Sequence, residues 1–363
     1  MKSPFLYDNL ALKDNFFGRS NELKKLDETV LHSNNLLIYS KRRMGKTTLV
    51  KNFLDLKKDD YITIYVDIFD ITSKEEFAKA LLKALTNSRK LDLKSTIKSF
   101  TNLFKRVRVE PTIDTNTLEY SIKPIVTTLS FEQMMEDFFS SINELCKNHK
   151  IIIAIDEFQE ISSIKDIKLD AFLRKQIQQR DNLSYIFLGS KRHLLTSLFE
   201  YKAALYELAN HFELPSLEID EIKSYVKKHL NINDEIVEYI YELSDGETKL
   251  LLHILHLLFI DKKEKFSKQR VDEVLQNIIN SKDTTYRMLF DTLNNNQKLA
   301  LKIIGRYSSR IFTQDVLSEY TIKKQTLKSS IDSLLKKELI DREGEEYFIP
   351  DRTFELWVKR IFN

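Results

Sequence analysis

The residues with the clearest chemical potential lie in one short segment, SKRRMGKTT, at positions 40–48. An apolar run precedes the segment and a helical pattern follows it. Backbone N–H groups at the start of a helix attract anions, and Gly45 would let the loop wrap closely around one. The ammonium of Lys46 can reach the β- and γ-phosphates of a nucleotide, and the hydroxyl of Thr47 can bind Mg²⁺. This spacing is typical of the pattern G-x-x-x-x-G-K-[ST], in which Ser40 replaces the first glycine.

The flanking strand and helix decide against the alternative, which is a chance Gly-Lys-Thr sequence in a basic surface loop. We therefore expect the loop to bind the phosphates of a nucleotide. The residues expected to contact the nucleotide in this loop are Ser40, Lys41, Arg42, Arg43, Met44, Gly45, Lys46, Thr47 and Thr48.

A pair of acids follows a second apolar run, at residues 151–155. At the end of a strand, Asp156 would hold Mg²⁺ through water, and Glu157 would polarise an attacking water as general base. Taken alone, two acids could belong to a solvated surface. Parallel α/β sheets place the loops that follow their strands at the same edge, so we expect both acids to lie near the phosphate loop.

Two further segments could contribute to the same site. Ser190 ends an apolar run and could hydrogen-bond the γ-phosphate or the attacking water; the alternative is a tight strand exit that needs Gly189. Arg192 is either an electrostatic support or a surface charge. Near the N-terminus, Gly18 and Arg19 would lie just outside the sheet, close to a bound base.

The elements that must position these residues fall into three regions. Residues 1–214 alternate apolar runs with helical patterns, which predicts a parallel, doubly wound α/β sheet, with strands at 35–39, 61–67, 150–155, 184–188 and 212–214. An inserted helix and hairpin interrupt this region at about 88–130. Residues 215–283 predict a helical domain. Residues 284–363 predict a winged helix, because three helices precede a short hairpin and a last helix.

Composition and charge exclude several classes of protein. The chain has 363 residues, and 57 Lys and Arg against 54 Asp and Glu give a net charge of +3, too balanced for a histone-like binder. A single cysteine excludes a disulfide-stapled fold and favours a reducing compartment. The longest apolar run, residues 250–260, is too short to span a bilayer. We expect a cytoplasmic protein without a membrane partner.

These segments together resemble the AAA+ ATPases of the archaeal-type ATPase family, in its STAND-like branch near the origin-recognition ATPases. The resemblance extends over nearly the whole chain and is carried by FFGRSNELKKL (16–26), IYSKRRMGKTTL (38–49), IIIAIDEFQEI (151–161), YIFLGSKRHLL (185–195) and YFIPDRTFELWVKRIF (347–362).

The resemblance implies an ATP site with Mg²⁺, a helical lid after the core and a winged helix after the lid. It implies Lys46 and Thr47 as Walker A residues, Asp156 and Glu157 as Walker B residues, and Ser190 as sensor 1. It also implies that Gly18 and Arg19 lie beside the adenine. Arg174, Arg180 and Arg192 are all candidates for an arginine finger. Whether the chain forms an oligomer is left open.

Three functional hypotheses follow. The first is an ATP-hydrolysing switch that couples nucleotide state to the winged helix, with slow turnover. The second is a protein that binds double-stranded DNA and uses ATP mainly as a structural ligand. The second helix of the winged helix would present Lys323, Lys324, Gln325, Lys328 and Ser329 to the major groove. The wing is acidic, which opposes contact with DNA phosphates there. The third is a protein-interaction switch in defence or toxin control, with the 88–130 insert as its contact surface.

Overall fold

The computed structural model describes residues 2–88, 108–113, 120–125, 129–165, 167–177, 181–190, 192–261 and 266–362. The chain divides into two compact units. The first, here called the sheet unit, comprises Arg19–Ser40 and Gly45–Pro215. The second, here called the helical unit, comprises Met1–Gly18, Lys41–Met44 and Ser216–Asn363. Within the described ranges, every helix is too short or too polar to cross a membrane.

The sheet unit is built on a five-stranded parallel sheet whose strand order is β2-β5-β6-β1-β7. The two central strands β5 and β6 are buried along almost their whole length because both faces of the sheet are covered, and residues 151–156 are all buried. A separate antiparallel hairpin pairs β3 with β4. The strands of this unit are β1 (Leu36–Tyr39), β2 (Tyr61–Asp67), β3 (Arg108–Ile113), β4 (Tyr120–Ile125), β5 (Lys150–Asp156), β6 (Leu183–Gly189) and β7 (Asn210–Glu213).

Helices follow most of the sheet strands in the chain. Among them, α4 begins with a capping box, in which Ser130 and Gln133 bond each other's backbone N–H groups. A 3-10 turn, Phe158–Ser163, leaves the end of β5. The helices are α1 (Ser20–Leu31), α2 (Lys46–Lys57), α3 (Lys74–Thr86), α4 (Phe131–Leu145), α5 (Leu169–Gln176) and α6 (Arg192–Ser197).

The sheet order determines where the predicted site residues lie. β5, β6 and β1 are neighbours in the sheet and run parallel, so their carboxyl ends share one edge. The phosphate loop leaves β1, Glu157 follows β5 directly, and Ser190 follows β6. Buried side chains such as Ile153, Phe158 and Phe187 fill the core beneath this edge.

The helical unit has its own hydrophobic core, which includes Phe5, Leu255, Leu301 and Trp357. Its strands, β8 (Asp341–Glu343) and β9 (Glu346–Phe348), form the hairpin of a winged helix and turn at Gly344, whose φ is +58°. A 3-10 turn, Lys13–Asn15, lies near the N-terminus. The helices are α7 (Ile219–Lys227), α8 (Asp234–Ser244), α9 (Thr248–Asp261), α10 (Lys268–Ser281), α11 (Asp283–Asp291), α12 (Asn295–Tyr307), α13 (Gln314–Glu319), α14 (Lys324–Lys336) and α15 (Arg352–Phe362).

The predicted fold class, a parallel α/β sheet with helices and a C-terminal winged helix, is confirmed. All five predicted sheet strands are present, and their ends differ from the predicted ones by at most two residues. The hairpin predicted within the 88–130 insert is present as β3 and β4. The helix predicted in that insert lies outside the described residues, so the insert's proposed partner surface stays a prediction. The boundary expected between a lid and a winged helix at residue 283 also stays a prediction.

Candidate functional site

The start of α2 has the geometry of an anion site. Gly45 precedes the helix with φ +87°, a left-handed conformation that strains any residue with a Cβ. The first helical hydrogen bond runs from the N–H of Leu49 to the carbonyl of Gly45, at 2.9 Å. The N–H groups of the first turn have no partner within the helix and carry the positive end of its dipole. This turn can therefore bind a phosphate group through its backbone.

The ammonium of Lys46 lies inside the loop. Its Nζ donates to Oγ of Ser40 at 2.9 Å and to the carbonyl of Ser40 at 3.2 Å. Both residues are almost fully buried, at 6% and 3% exposure. Ser40 has a backbone conformation outside the left-handed region, which explains why a serine can replace the first glycine of the pattern.

The hydroxyl of Thr47 meets the first of the two predicted acids. Its Oγ1 donates to Oδ2 of Asp156 at 2.6 Å, across 109 positions of sequence. The N–H of Glu157 donates to the other carboxylate oxygen of Asp156 at 2.9 Å. Hydroxyl and carboxylate oxygens are the ligands that Mg²⁺ prefers, so this pair fits the ion that the sequence predicts.

A tyrosine that the sequence analysis did not identify also contacts this carboxylate. The hydroxyl of Tyr65 donates to Oδ2 of Asp156 at 2.7 Å. Burial, together with the negative charge of Asp156, raises the pKa of Tyr65, so the phenol keeps its proton and acts as donor. The strand register pairs Asp67 with Asp156, and Tyr65 lies two residues earlier on the same face. The alternation of side chains along β2 is therefore the sequence signal that could have identified Tyr65 as a neighbour of Asp156.

The second acid is held by a glutamine and by the predicted serine. Glu157 has φ +54°, an uncommon conformation for a residue with a side chain. Its Oε2 accepts from Nε2 of Gln159 at 2.6 Å and from Oγ of Ser190 at 3.2 Å. The structure therefore brings Glu157 and Ser190 together. Gln159, which the sequence analysis did not single out, belongs to the same cluster.

The tip of the phosphate loop belongs to the helical unit. Its three cationic side chains each pair with an acidic residue of that unit rather than pointing freely into the loop. The backbone carbonyl of Arg43 also accepts from the N–H of Lys249 at 3.3 Å. The ion pairs are Lys41 with Asp245 at 3.3 Å, Arg42 with Glu338, and Arg43 with Asp351 at 2.5 Å and with Glu247 at 3.8 Å.

The N-terminal pair is divided between the two units, with Gly18 in the helical unit and Arg19 in the sheet unit. Arg19 is 4% exposed, and its Nη1 donates to Oε1 of Glu22 at 2.7 Å and to the carbonyl of Pro215 at 2.8 Å. Gly18 has φ +70°. The placement of both residues beside an adenine stays a prediction.

The arginine finger is not assigned by these contacts. The Nη1 group of Arg174 donates to the carbonyl of Tyr206 in the sheet unit. Arg180 and the side chain of Arg192 lie outside the described part of the chain. No one of the three therefore gains a specific role.

Comparison with known proteins gives two family matches. Residues 16–254 match the family described as an ATPase domain predominantly from Archaea, and residues 284–360 match a probable winged helix domain. An uncharacterized ATP-binding protein of Pyrococcus horikoshii is 23% identical, in an alignment that covers 80% of this chain and 98% of that protein.

Two solved structures share the fold. A Walker-type ATPase of Pyrococcus abyssi superposes with a TM-score of 0.65 at 20% identity, over 98% of this chain and 100% of that one. The ORC1 protein of Aeropyrum pernix, solved in complex with DNA, superposes with a TM-score of 0.51 at 14% identity, over 98% of this chain and 95% of that one. At these identities, both similarities concern the fold alone.

Proposed function

The chain belongs to the family of ATPase domains found predominantly in Archaea, and from this premise we propose that it binds ATP with Mg²⁺ and hydrolyses it. One observation carries the proposal. Two distant stretches of chain meet where Oγ1 of Thr47 lies 2.6 Å from Oδ2 of Asp156, at the edge of the sheet where β1 and β5 end. The ATP-binding protein of Pyrococcus horikoshii, which is similar over most of its length, supports the choice of nucleotide.

Each residue of the site has a proposed role. The N-terminal turn of α2 binds phosphate oxygens through its N–H groups, and Lys46 turns from Ser40 to neutralise the β- and γ-phosphates. Thr47 and Asp156 hold Mg²⁺, which when bound offsets charge on the phosphates. Glu157 accepts a proton from the attacking water, and Ser190 orients that water or the γ-phosphate.

We also propose that nucleotide state is coupled to the winged helix. The support comes from the loop tip, where Arg42 pairs with Glu338 just after α14 and Arg43 pairs with Asp351 just before α15. A nucleotide that reorders the backbone of the loop would change the positions of these two arginines. The winged-helix acids would therefore respond to the nucleotide through ion pairs that already exist.

The test separates binding from turnover. Lys46→Ala should abolish binding of a fluorescent ATP analogue, because it removes the cation expected on the phosphates. Glu157→Gln should keep the dissociation constant and lose all but a slow residual release of inorganic phosphate, because the amide cannot accept the proton. Lys58→Ala, which removes a half-exposed lysine paired with Asp55, is the control and should change neither quantity.

Two outcomes would contradict the proposal. Unchanged nucleotide affinity in Lys46→Ala would exclude the phosphate loop as the binding site. Equal phosphate release by wild type and Glu157→Gln would remove Glu157 from its role as general base.

A second candidate function is favoured by the surface of α14. Lys323, Lys324 and Lys328 are all exposed, as are Gln325 and Ser329. A basic, exposed helix that follows another helix of a winged helix can enter the major groove of DNA. Double-stranded DNA is therefore the proposed partner of this helix.

A further inference from the structure

The amide of Gln159 occupies an unusual position beside Glu157. It lies in the 3-10 turn that follows β5, and its side chain is 2% exposed. Its Nε2 donates to Oε2 of Glu157 at 2.6 Å, and more weakly to Oε1 of Glu160 at 3.3 Å. A hydrogen bond from an amide to a carboxylate is about twice as strong as one between neutral groups. The shorter contact therefore restrains the carboxylate of Glu157.

This arrangement has a cost in folding stability. Among the described residues, no donor reaches Oε1 of Gln159, although that atom is buried. A buried carbonyl oxygen without a partner destabilises the folded state, so an apolar side chain of similar size would suit the position better. A polar residue that lowers stability and contacts a candidate general base is a sign of function rather than of packing.

The backbone around Gln159 leaves space for this amide. A Cβ added to Gly189, at the end of β6, would lie 2.1 Å from Oε1 of Gln159. Only glycine therefore permits the observed amide position. Glu157 itself adopts a left-handed backbone that directs its carboxylate toward both Gln159 and Ser190. The hydrogen bond from Gln159, the glycine at position 189 and the left-handed backbone of Glu157 therefore favour one orientation of the Glu157 carboxylate.

We propose that Gln159 is a positioning residue for the ATPase reaction, which holds the carboxylate of Glu157 in the orientation from which it accepts the proton of water. The inference rests on the proposed function. Gln159 acts through Glu157 and does not itself contact nucleotide. Its removal should lower turnover while leaving nucleotide affinity unchanged, since a misplaced general base slows the chemical step alone.

The test uses the full chain and the variant Gln159→Met, which keeps an unbranched side chain of similar size and removes both polar atoms. Phosphate release should fall on the order of 10-fold to 100-fold. Affinity for an ATP analogue should not change, and the melting temperature should stay equal or rise because the unpaired oxygen is gone. Glu160→Gln, which changes the acceptor of the longer, 3.3 Å contact and keeps the size of the side chain, is the matched control and should keep wild-type turnover.

A double-mutant cycle separates positioning from a structural role. In the Glu157→Gln background, adding Gln159→Met should change the residual rate by less than about 2-fold, because the residue through which Gln159 acts is already disabled. Should Gln159→Met fail to fold, Gly189→Ala displaces the same amide without changing residue 159 and should lower turnover in the same way.

The results that would overturn the positioning role of Gln159 differ from those that would overturn the proposed ATPase function. A wild-type chain that releases no phosphate would end the proposed function and this role with it. A wild-type chain with turnover that Gln159→Met matches would overturn only the positioning role. An equal fall in both backgrounds, with a lower melting temperature, would identify Gln159 as a structural residue and also overturn the inference.

Discussion

At the scale of single residues, Glu247 is the clearest case of an acid whose surroundings oppose its charge. It is 5% exposed, and its Oε2 accepts from the N–H of Arg352 at 3.1 Å. Burial raises the pKa of Glu247 from 4.5 to about 7, although the nearby charge of Arg43 lowers it. The folded protein therefore retains a proton on Glu247 at pH values where the unfolded chain has released it.

The sign of the pH effect follows from proton counting. Between pH 4.5 and about 7 the folded state binds more protons than the unfolded state, so Glu247 makes the free energy of unfolding fall as pH rises. Glu247→Gln removes this ionisation and should raise the free energy of unfolding at pH 8 on the order of 2 kcal/mol, with little difference at pH 4. Urea unfolding of both proteins at the two pH values measures this difference.

Glu247→Gln must be compared with wild type because His253 changes the free energy of unfolding with pH in the opposite direction. Burial lowers the pKa of His253 to about 4, so its contribution to stability is lost as pH falls below 6.5. Both proteins share this effect, and their difference isolates Glu247. Equal free energies of unfolding of wild type and Glu247→Gln at pH 8 would show that ionisation of Glu247 does not destabilise the folded state.

At the scale of elements, the sequence predicts most clearly those strands whose residues are all buried. β5 was predicted because five consecutive apolar residues suit a strand covered on both faces; the strand ends at Asp156, and Glu157 follows it directly. Two of the side chains that contact these acids, those of Tyr65 and Gln159, were not predicted. Tyr65 and Gln159 reach them only through the strand register and the turn after β5, and neither can be read from one segment alone.

The phosphate loop shows the same limit. Its backbone conformation follows from local sequence, since Gly45 and the helix start are encoded within a few residues. The partners of its side chains are not local, and Arg42 pairs with an acid 296 positions away. Pairwise contacts over such separations depend on tertiary packing, which hydrophobic periodicity does not encode.

The DNA-binding proposal is tested on α14 itself. Lys323→Glu together with Lys328→Glu reverses two exposed charges at the start of the helix and should weaken binding to a DNA duplex and reduce its salt dependence. Lys336→Glu with Lys337→Glu makes the same change of charge at the other end of the helix and is the control. Electrophoretic mobility shifts at two salt concentrations, with and without ATP, measure both effects. Equal loss of affinity in the two variants would favour a general charge effect over docking in the groove.

At the scale of the whole molecule, each unit has its own hydrophobic core. Phe158 and Phe187 belong to the core of the sheet unit, and Trp357 belongs to that of the helical unit. Trp357 is 1% exposed, and its Nε1 donates to Oδ1 of Asp283 at 2.8 Å. Since it is the single tryptophan of the chain, its fluorescence reports on one core only.

Separate cores predict separate unfolding. The thermal midpoint measured by tryptophan fluorescence should differ from that measured by far-UV circular dichroism, which reports helices and strands of both units. Adding Mg²⁺ and a non-hydrolysable ATP analogue should raise the dichroism midpoint, because a ligand stabilises the state that binds it. Coincident midpoints by both probes would show that the chain unfolds as one cooperative body.

The chain also has a single cysteine, Cys146, which is half-buried in the sheet unit, whereas Trp357 lies in the helical unit. A dye attached to this thiol would form a donor–acceptor pair with the indole ring without any residue being added or removed. The natural protein therefore contains a donor and an attachment point for an acceptor, one on each unit. A change in energy transfer when a nucleotide is added would show that the distance between the two units depends on the nucleotide.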